Sequence, residues 1–253
     1  MRIKVDLKKL LYGGFTVLAI SFSIIYIFSD LLYLFELRSL DVRFRLRDMS
    51  NRNPMIHEKI INVNIDDFSR KESGKIVEWP KSHYADLINK LQSYDPGVIP
   101  CDILFGHSND TLGNGQLVQS ISSGNGVVIS PYLYTSTGSE ITAELYRSFI
   151  MDSGLEFMPD FSPELNVTKN NVLFAPFDEI VYESLAVGFV NMERDPDGVV
   201  RRIPVFTNVE GKLAFHLFFQ SICDYLEYDP AKIEIHDRMI ILKDFPQISE
   251  EGT

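Results

Sequence analysis

The chain has 253 residues and a formal charge of −11 at pH 7, with 24 Lys and Arg against 35 Asp and Glu and a pI near 4.9. Hydrophobic residues make up 45% of it and charged residues 23%, which excludes a disordered or collagenous chain and makes nucleic acid a poor partner. The length allows one large or two small domains, and two cysteines, Cys101 and Cys223, imply neither a disulfide framework nor a thiolate metal cage. The charge divides along the chain: residues 1–52 carry nine Lys or Arg against five Asp or Glu, and the remainder 15 against 30. A basic head precedes an acidic body.

Leu10 to Phe28 contains no ionisable acid or base over 19 residues, which as a helix spans about 28 Å, the thickness of a hydrocarbon core. It predicts an uncleaved transmembrane helix at 10–28, since a signal peptide's apolar region is shorter and no small-x-small cleavage site follows. Arg2, Lys4, Lys8 and Lys9 precede the span, and Arg38, Arg43, Arg45 and Arg47 follow it, so the positive-inside rule favours a cytoplasmic segment at 1–9 only slightly. Leu31, Leu34, Phe35, Leu37, Leu40 and Phe44 recur at helical spacing, predicting a juxtamembrane helix within 29–52 that ends before Pro54.

In the body, Lys59 to Asp66 is a β-rich run. His83 to Tyr94 carries one apolar helical face, and Val98 to Phe105 is a second apolar run, together predicting a β-α-β unit. A further helix at Asn109 to Ser122 and a strand at Gly126 to Leu133 extend the pattern to an α/β fold with a parallel or mixed sheet and flanking helices. Thr135 to Asn171 is rich in Ser, Thr, Pro and Asp and is expected to be a surface insertion, with a helix at Glu140 to Phe149. Val187 to Met192 and Val199 to Phe206 are expected to pair as a hairpin around Pro196, Asp197 and Gly198. Leu213 to Tyr228 reads as an amphipathic helix, and Ile233 to Leu242 as a hairpin turning at Asp237 and Arg238.

The chemistry-bearing motifs are few. Gly113-Asn114-Gly115 and Gly124-Asn125-Gly126 form no phosphate loop or dinucleotide fingerprint and are expected to be turns. His57, His83, His107, His216 and His236 show no ligand spacing, so each reads as a surface or capping histidine. Asp195-Pro196-Asp197-Gly198 lacks the third ligand and the distal Glu of a calcium loop. Arg201 and Arg202 are able to bind an anion, but alternation on a strand puts only one of them at a given site. Trp79, the single tryptophan, is either a packed lid at the sheet end or a ligand platform. No cofactor or metal is expected.

Five stretches together resemble one family, the CHASE-type-2 extracytoplasmic sensor domain of bacterial receptors. They are LRSLDVRFRLRD after the anchor, IINVNIDD, WPKSHYADLINKL, PGVIPCDILF and VGFVNMERDPDGVVRRIPVF, extending from about Leu37 to Phe219. The resemblance implies a sensory domain at 53–253 outside the cytoplasm, anchored by the N-terminal helix and coupled to a nucleotide cyclase or protein kinase. It further implies strands and membrane helices that this sequence does not contain, so the chain is expected to be a truncated form. The expected partners are membrane lipid, an unidentified extracytoplasmic stimulus and a second copy of the chain. The other reading is an extracytoplasmic enzyme using the carboxylates of Asp66, Asp67 and Asp102 as acid and base. Asp66 and Asp102 are expected at neighbouring strand ends facing one crevice. A carboxylate inside the apolar run Val98 to Phe105 is expected to be paired or hydrogen-bonded, for instance with Arg202. The candidate ligand-binding residues are Asp66, Asp67, Trp79, Asp102, Arg201 and Arg202.

Overall fold

The computed structural model describes residues 7–74, 79–106, 109–124, 126–129, 134–135, 169–172, 176–192, 194–209, 212–229, 232–236 and 239–246. The chain forms two compact units, Met1–Asn64 with Arg194–Val199, and Ile65–Glu193 with Val200–Thr253.

The first unit is built on two helices, α1 (Leu7–Ile27) and α2 (Ser29–Met49). The termination of α2 is explicit. Ser50 Oγ donates to the Leu46 carbonyl, Arg47 Nε donates to Asn53 Oδ1 at 3.0 Å, and Asn53 Nδ2 donates to Asp48 Oδ1 at 2.6 Å. Asn51 takes a left-handed φ of 54° just before Pro54 forbids further helix. The Asp195–Val199 turn belongs to this unit. Gly198, at φ 83°, donates to the Asp195 carbonyl, and Tyr33 Oη donates to Asp195 Oδ1 at 3.4 Å. The turn expected at Pro196–Gly198 is therefore present.

Among the described residues no helix is long and apolar enough to cross a membrane, so the transmembrane helix expected at 10–28 is not supported by the structure. The helix itself is present as α1. Its existence does not decide the point, because helical hydrogen bonds satisfy the backbone in water and lipid alike.

The second unit is mixed α/β. A short helix α3 (Asp67–Ser73) precedes α4 (Lys81–Gln92), followed by β1 (Ile99–Cys101), α5 (Thr111–Ser122), β2 (Val127–Ile129), β3 (Tyr134–Thr135) and β4 (Lys169–Val172). Then come α6 (Asp178–Glu183), β5 (Ala186–Val187), β6 (Phe206–Val209), β7 (Lys212–Phe215), α7 (Leu217–Tyr225), β8 (Ile233–His236) and β9 (Met239–Leu242). Strands β1, β2 and β5 form a parallel sheet in that order, with Ile99 opposite Val127 and Val128 opposite Ala186. A second sheet runs β3-β4-β6-β7, parallel only between β4 and β6, and β8 and β9 pair alone.

The core lies between the parallel sheet and its helices. Tyr84, Ala85 and Ile88 on α4 share a face by helical spacing, as do Leu117 and Ile121 on α5, and both faces bury with Ile99, Val127, Phe105, Ile180 and Phe189. Gln92 Nε2 clasps the two helices by donating to the Ser120 carbonyl at 2.9 Å.

Several sequence expectations are corrected. Lys59–Asp66 forms no strand: Ile60 and Ile61 are 64% and 82% exposed, and β propensity without a neighbour to hydrogen-bond does not make a strand. The β-α-β arrangement appears one element later, as β1-α5-β2. Val187–Met192 and Val199–Phe206 do not pair as a hairpin. The antiparallel pair is β6 with β7, Phe206 opposite Phe215, so the helix expected from Leu213 begins only at Leu217. Gly113 and Gly115 are not in a turn but in α5, where Asp110 Oδ1 caps the helix by accepting from Gly113 N at 2.9 Å. A Cβ on Gly113 would stand 2.1 Å from the Asp110 carboxylate, so the glycine makes room for the cap. The hairpin expected within Ile233–Leu242 is present as β8–β9, while the helix expected at Glu140–Phe149 lies outside the described residues.

Leu117 is fully buried on α5, whereas Leu112 on the same helix is exposed. Urea unfolding of the full chain should show Leu117→Ala destabilised by about 2–5 kcal/mol, and Leu112→Ala changed by less than about 0.5 kcal/mol.

Candidate functional site

The carboxyl ends of the parallel strands are where chemistry-bearing side chains gather in this unit, as in open α/β sheets generally. β1 ends at Cys101 and passes directly to Asp102. β5 continues through Gly188 to Phe189, which forms a parallel bridge with His216. There the backbone is tightly tied: Phe189 N donates to the Phe215 carbonyl at 3.0 Å, Leu217 N to the Phe189 carbonyl at 2.8 Å, and His216 N to the Val205 carbonyl at 2.8 Å. Gly188 is needed for this approach, since a Cβ on it would stand 2.5 Å from Leu217 Cα and 2.8 Å from Leu217 N.

His216 is 2% exposed and forms the N-cap of α7, its Nδ1 accepting from Phe218 N at 3.4 Å. Its ring meets Phe189 edge-on with centroids 5.2 Å apart. An Nδ1 that accepts leaves the proton of the neutral ring on Nε2, and Nε2 is buried with no hydrogen-bond partner among the described residues. Burial pushes the His216 pKa below 6.5, while the charge of Asp102 acts in the opposite direction. That same charge joins burial in pushing the Cys101 thiol up to about 12, and burial pushes Cys223 to about 11. Both free thiols are therefore poor nucleophiles.

Cys101 links this neighbourhood to α4. Burial, and secondarily Cys101, raises the Tyr84 pKa, and the Tyr84 ring meets Phe105 edge-on at 5.4 Å. Lys81 Nζ lies 5.3 Å from the centre of the Phe105 ring, and burial lowers its pKa. Trp79 completes the row, 5.9 Å from Tyr84 and 6.0 Å from His83, with Nε1 donating to the Gly74 carbonyl at 3.1 Å. It is half-buried against the core.

The remaining candidates are held elsewhere. Asp66 caps α3, its Oδ1 accepting from Ser69 N and Ser69 Oγ at 2.9 Å each, and these bonds hold its carboxyl below the ordinary value. Asp67 pairs with Arg70 at 2.9 Å on the surface. No bond of Asp66 reaches Asp102. Asp102 is solvent-exposed, which corrects the expectation of a buried, desolvated carboxylate: the strand stops one residue before it. Arg201 is half-buried and Arg202 exposed, in an extended segment outside the strands. Among the described residues no three His, Cys, Asp or Glu side chains are placed to hold a metal ion. His216, read from the sequence as a surface or capping histidine inside a helix expected from Leu213, is the N-cap of a helix that begins at Leu217; its burial carried no signal in the sequence.

The second unit is a mixed α/β body whose parallel-sheet end is tied to β7 and α7. The family model for the CHASE2 domain matches residues 15–251, so the chain belongs to the CHASE2 family of extracytoplasmic sensory domains. No curated protein and no solved structure matches it significantly.

Gly188→Ala should destabilise the chain by about 2–3 kcal/mol, because backbone must move to admit the methyl. Gly115→Ala, inside α5 with nothing within 4 Å of the added Cβ, should stabilise it by up to about 1 kcal/mol. Thermal unfolding of the two variants separates the effects. In the same assay Asp102→Ala should lie within about 0.5 kcal/mol of the parent, as an exposed residue does.

Proposed function

We propose that this chain is the membrane-anchored input module of a bacterial receptor. On this reading α1 seats it in the lipid, residues 53–253 face away from the cytoplasm, and the output is a nucleotide cyclase or protein kinase. The observation that carries this reading is the reach of the CHASE2 match, which begins inside α1 and covers the body.

Physical features of α1 support the anchor. Phe15, Val17, Leu18, Ile20, Phe22 and Ile25 are all exposed on it, and burying each such side chain is worth about 1.5–3 kcal/mol. Its hydroxyls are already satisfied within the helix, Thr16 donating to the Tyr12 carbonyl at 2.8 Å and Ser23 to the Ala19 carbonyl at 2.9 Å. An apolar surface with internally bonded hydroxyls is suited to hydrocarbon.

Reporter fusions test the topology. A fusion after Asn53 and another at Thr253 should be active with a reporter that works only after export, and dark with a fluorescent protein that matures only in the cytoplasm. Cytoplasmic fluorescence at Thr253 would overturn the reading.

A further inference from the structure

We propose that His216 is a proton-operated latch at the junction of β7 and α7: the neutral ring holds the first turn of the helix closed, and the imidazolium releases it. The latch goes beyond the sensory reading, which it needs only for its use and not for its existence. Four observations place it. The ring is the N-cap of α7, and its Nδ1 lone pair is the acceptor for Phe218 N. Protonation puts a hydrogen on that nitrogen, turning the acceptor into a donor facing another donor. It also places a positive charge at the positive end of the helix dipole.

The second observation is burial: the side chain is 2% exposed and Nε2 has no partner among the described residues, so a charged ring has little to compensate its desolvation. Third, the ring sits where three segments are tied. His216 N bonds the Val205 carbonyl, Leu217 N bonds the Phe189 carbonyl, and Gly188 packs against the His216–Leu217 backbone. A change at this residue is therefore felt by the parallel sheet, by the segment leading into β6 and by α7. Fourth, among the described residues the surroundings supply one opposing charge. Phe189 and Phe218 flank the ring, Val205 lies across its backbone, and Asp102 after β1 is the group whose charge favours the imidazolium. Further along α7, Asp224 titrates as well: burial raises its pKa, and the Gln220 amide opposes the rise at 3.1 Å.

The direction of the pH effect follows. With the folded-state pKa below the ordinary 6.5, the cap is fully present above 6.5 and is lost as pH falls through the lowered value.

The test is hydrogen exchange on the full chain in detergent micelles, corrected for intrinsic rates, between about pH 7.5 and 5. Protection of residues 217–225 should fall about tenfold on acidification, the equilibrium equivalent of losing one helix cap. His216→Asn, whose amide oxygen caps a helix without titrating, should keep the protection across the range. Asp224→Asn should retain the parent's pH dependence. Asp102→Asn should move the midpoint to lower pH by removing the charge that favours the imidazolium. Protection that does not change with pH in the parent, or that falls equally in His216→Asn, would overturn the latch; in the second case Asp224→Asn identifies whether that carboxyl is responsible. Because the readout is protection, a failed latch leaves the reporter-fusion result standing, and a failed topology leaves the latch standing.

Discussion

The close approach of Gly188 to the His216–Leu217 backbone is the contact on which the body of this protein turns. Among the described residues the parallel sheet β1-β2-β5 is three strands wide, and each strand is short. Beyond Val187 the chain gains a second set of backbone bonds through Phe189, which joins the sheet end to β7 and to the start of α7. Such joining requires backbones nearer than a side chain allows, so a residue without Cβ occupies the crossing. The cost of this arrangement falls on His216, which is buried where its Nε2 finds no partner among the described residues.

Electrostatics around that junction are governed by burial more than by charge. Desolvation is the largest influence on Cys101, Cys223, Tyr84 and His216, and only Asp102 adds a charge that acts on both Cys101 and His216. The thiols are thereby held protonated and the imidazole neutral. The carboxylates that offered the best material for acid–base chemistry are instead engaged locally or solvated: Asp66 in a helix cap, Asp67 with Arg70, Asp102 in solvent.

Elements with a strong local signal were legible in the chain. The apolar face of Tyr84, Ile88 and Leu91 marked α4, and the apolar run around Ile99 marked β1. Where the outcome depended on a partner, local signal failed. Lys59–Asp66 has β-branched residues in quantity but no strand beside it among the described residues, while Leu213–Phe215 reads as the start of a helix yet lies in β7 and pairs with β6. Gly113 and Gly115 looked like turn residues because glycine disfavours helices, a tendency outweighed once the Asp110 cap and the buried face of Leu117 and Ile121 are formed.

The sequence by itself determined the family, the α/β character of the body, the turn at Asp195–Gly198 and the uncharged run of residues 10–28. The family showed in the resemblance of five stretches of the sequence; the others follow from composition, periodicity and residue chemistry, which are local properties. Only the tertiary structure decided that Asp102 is exposed, that Asp66 serves its own helix, and that His216 lies buried between Phe189 and Phe218. Burial and bonding of a polar group depend on which distant backbones meet around it, and no pattern of neighbours along the chain records that meeting.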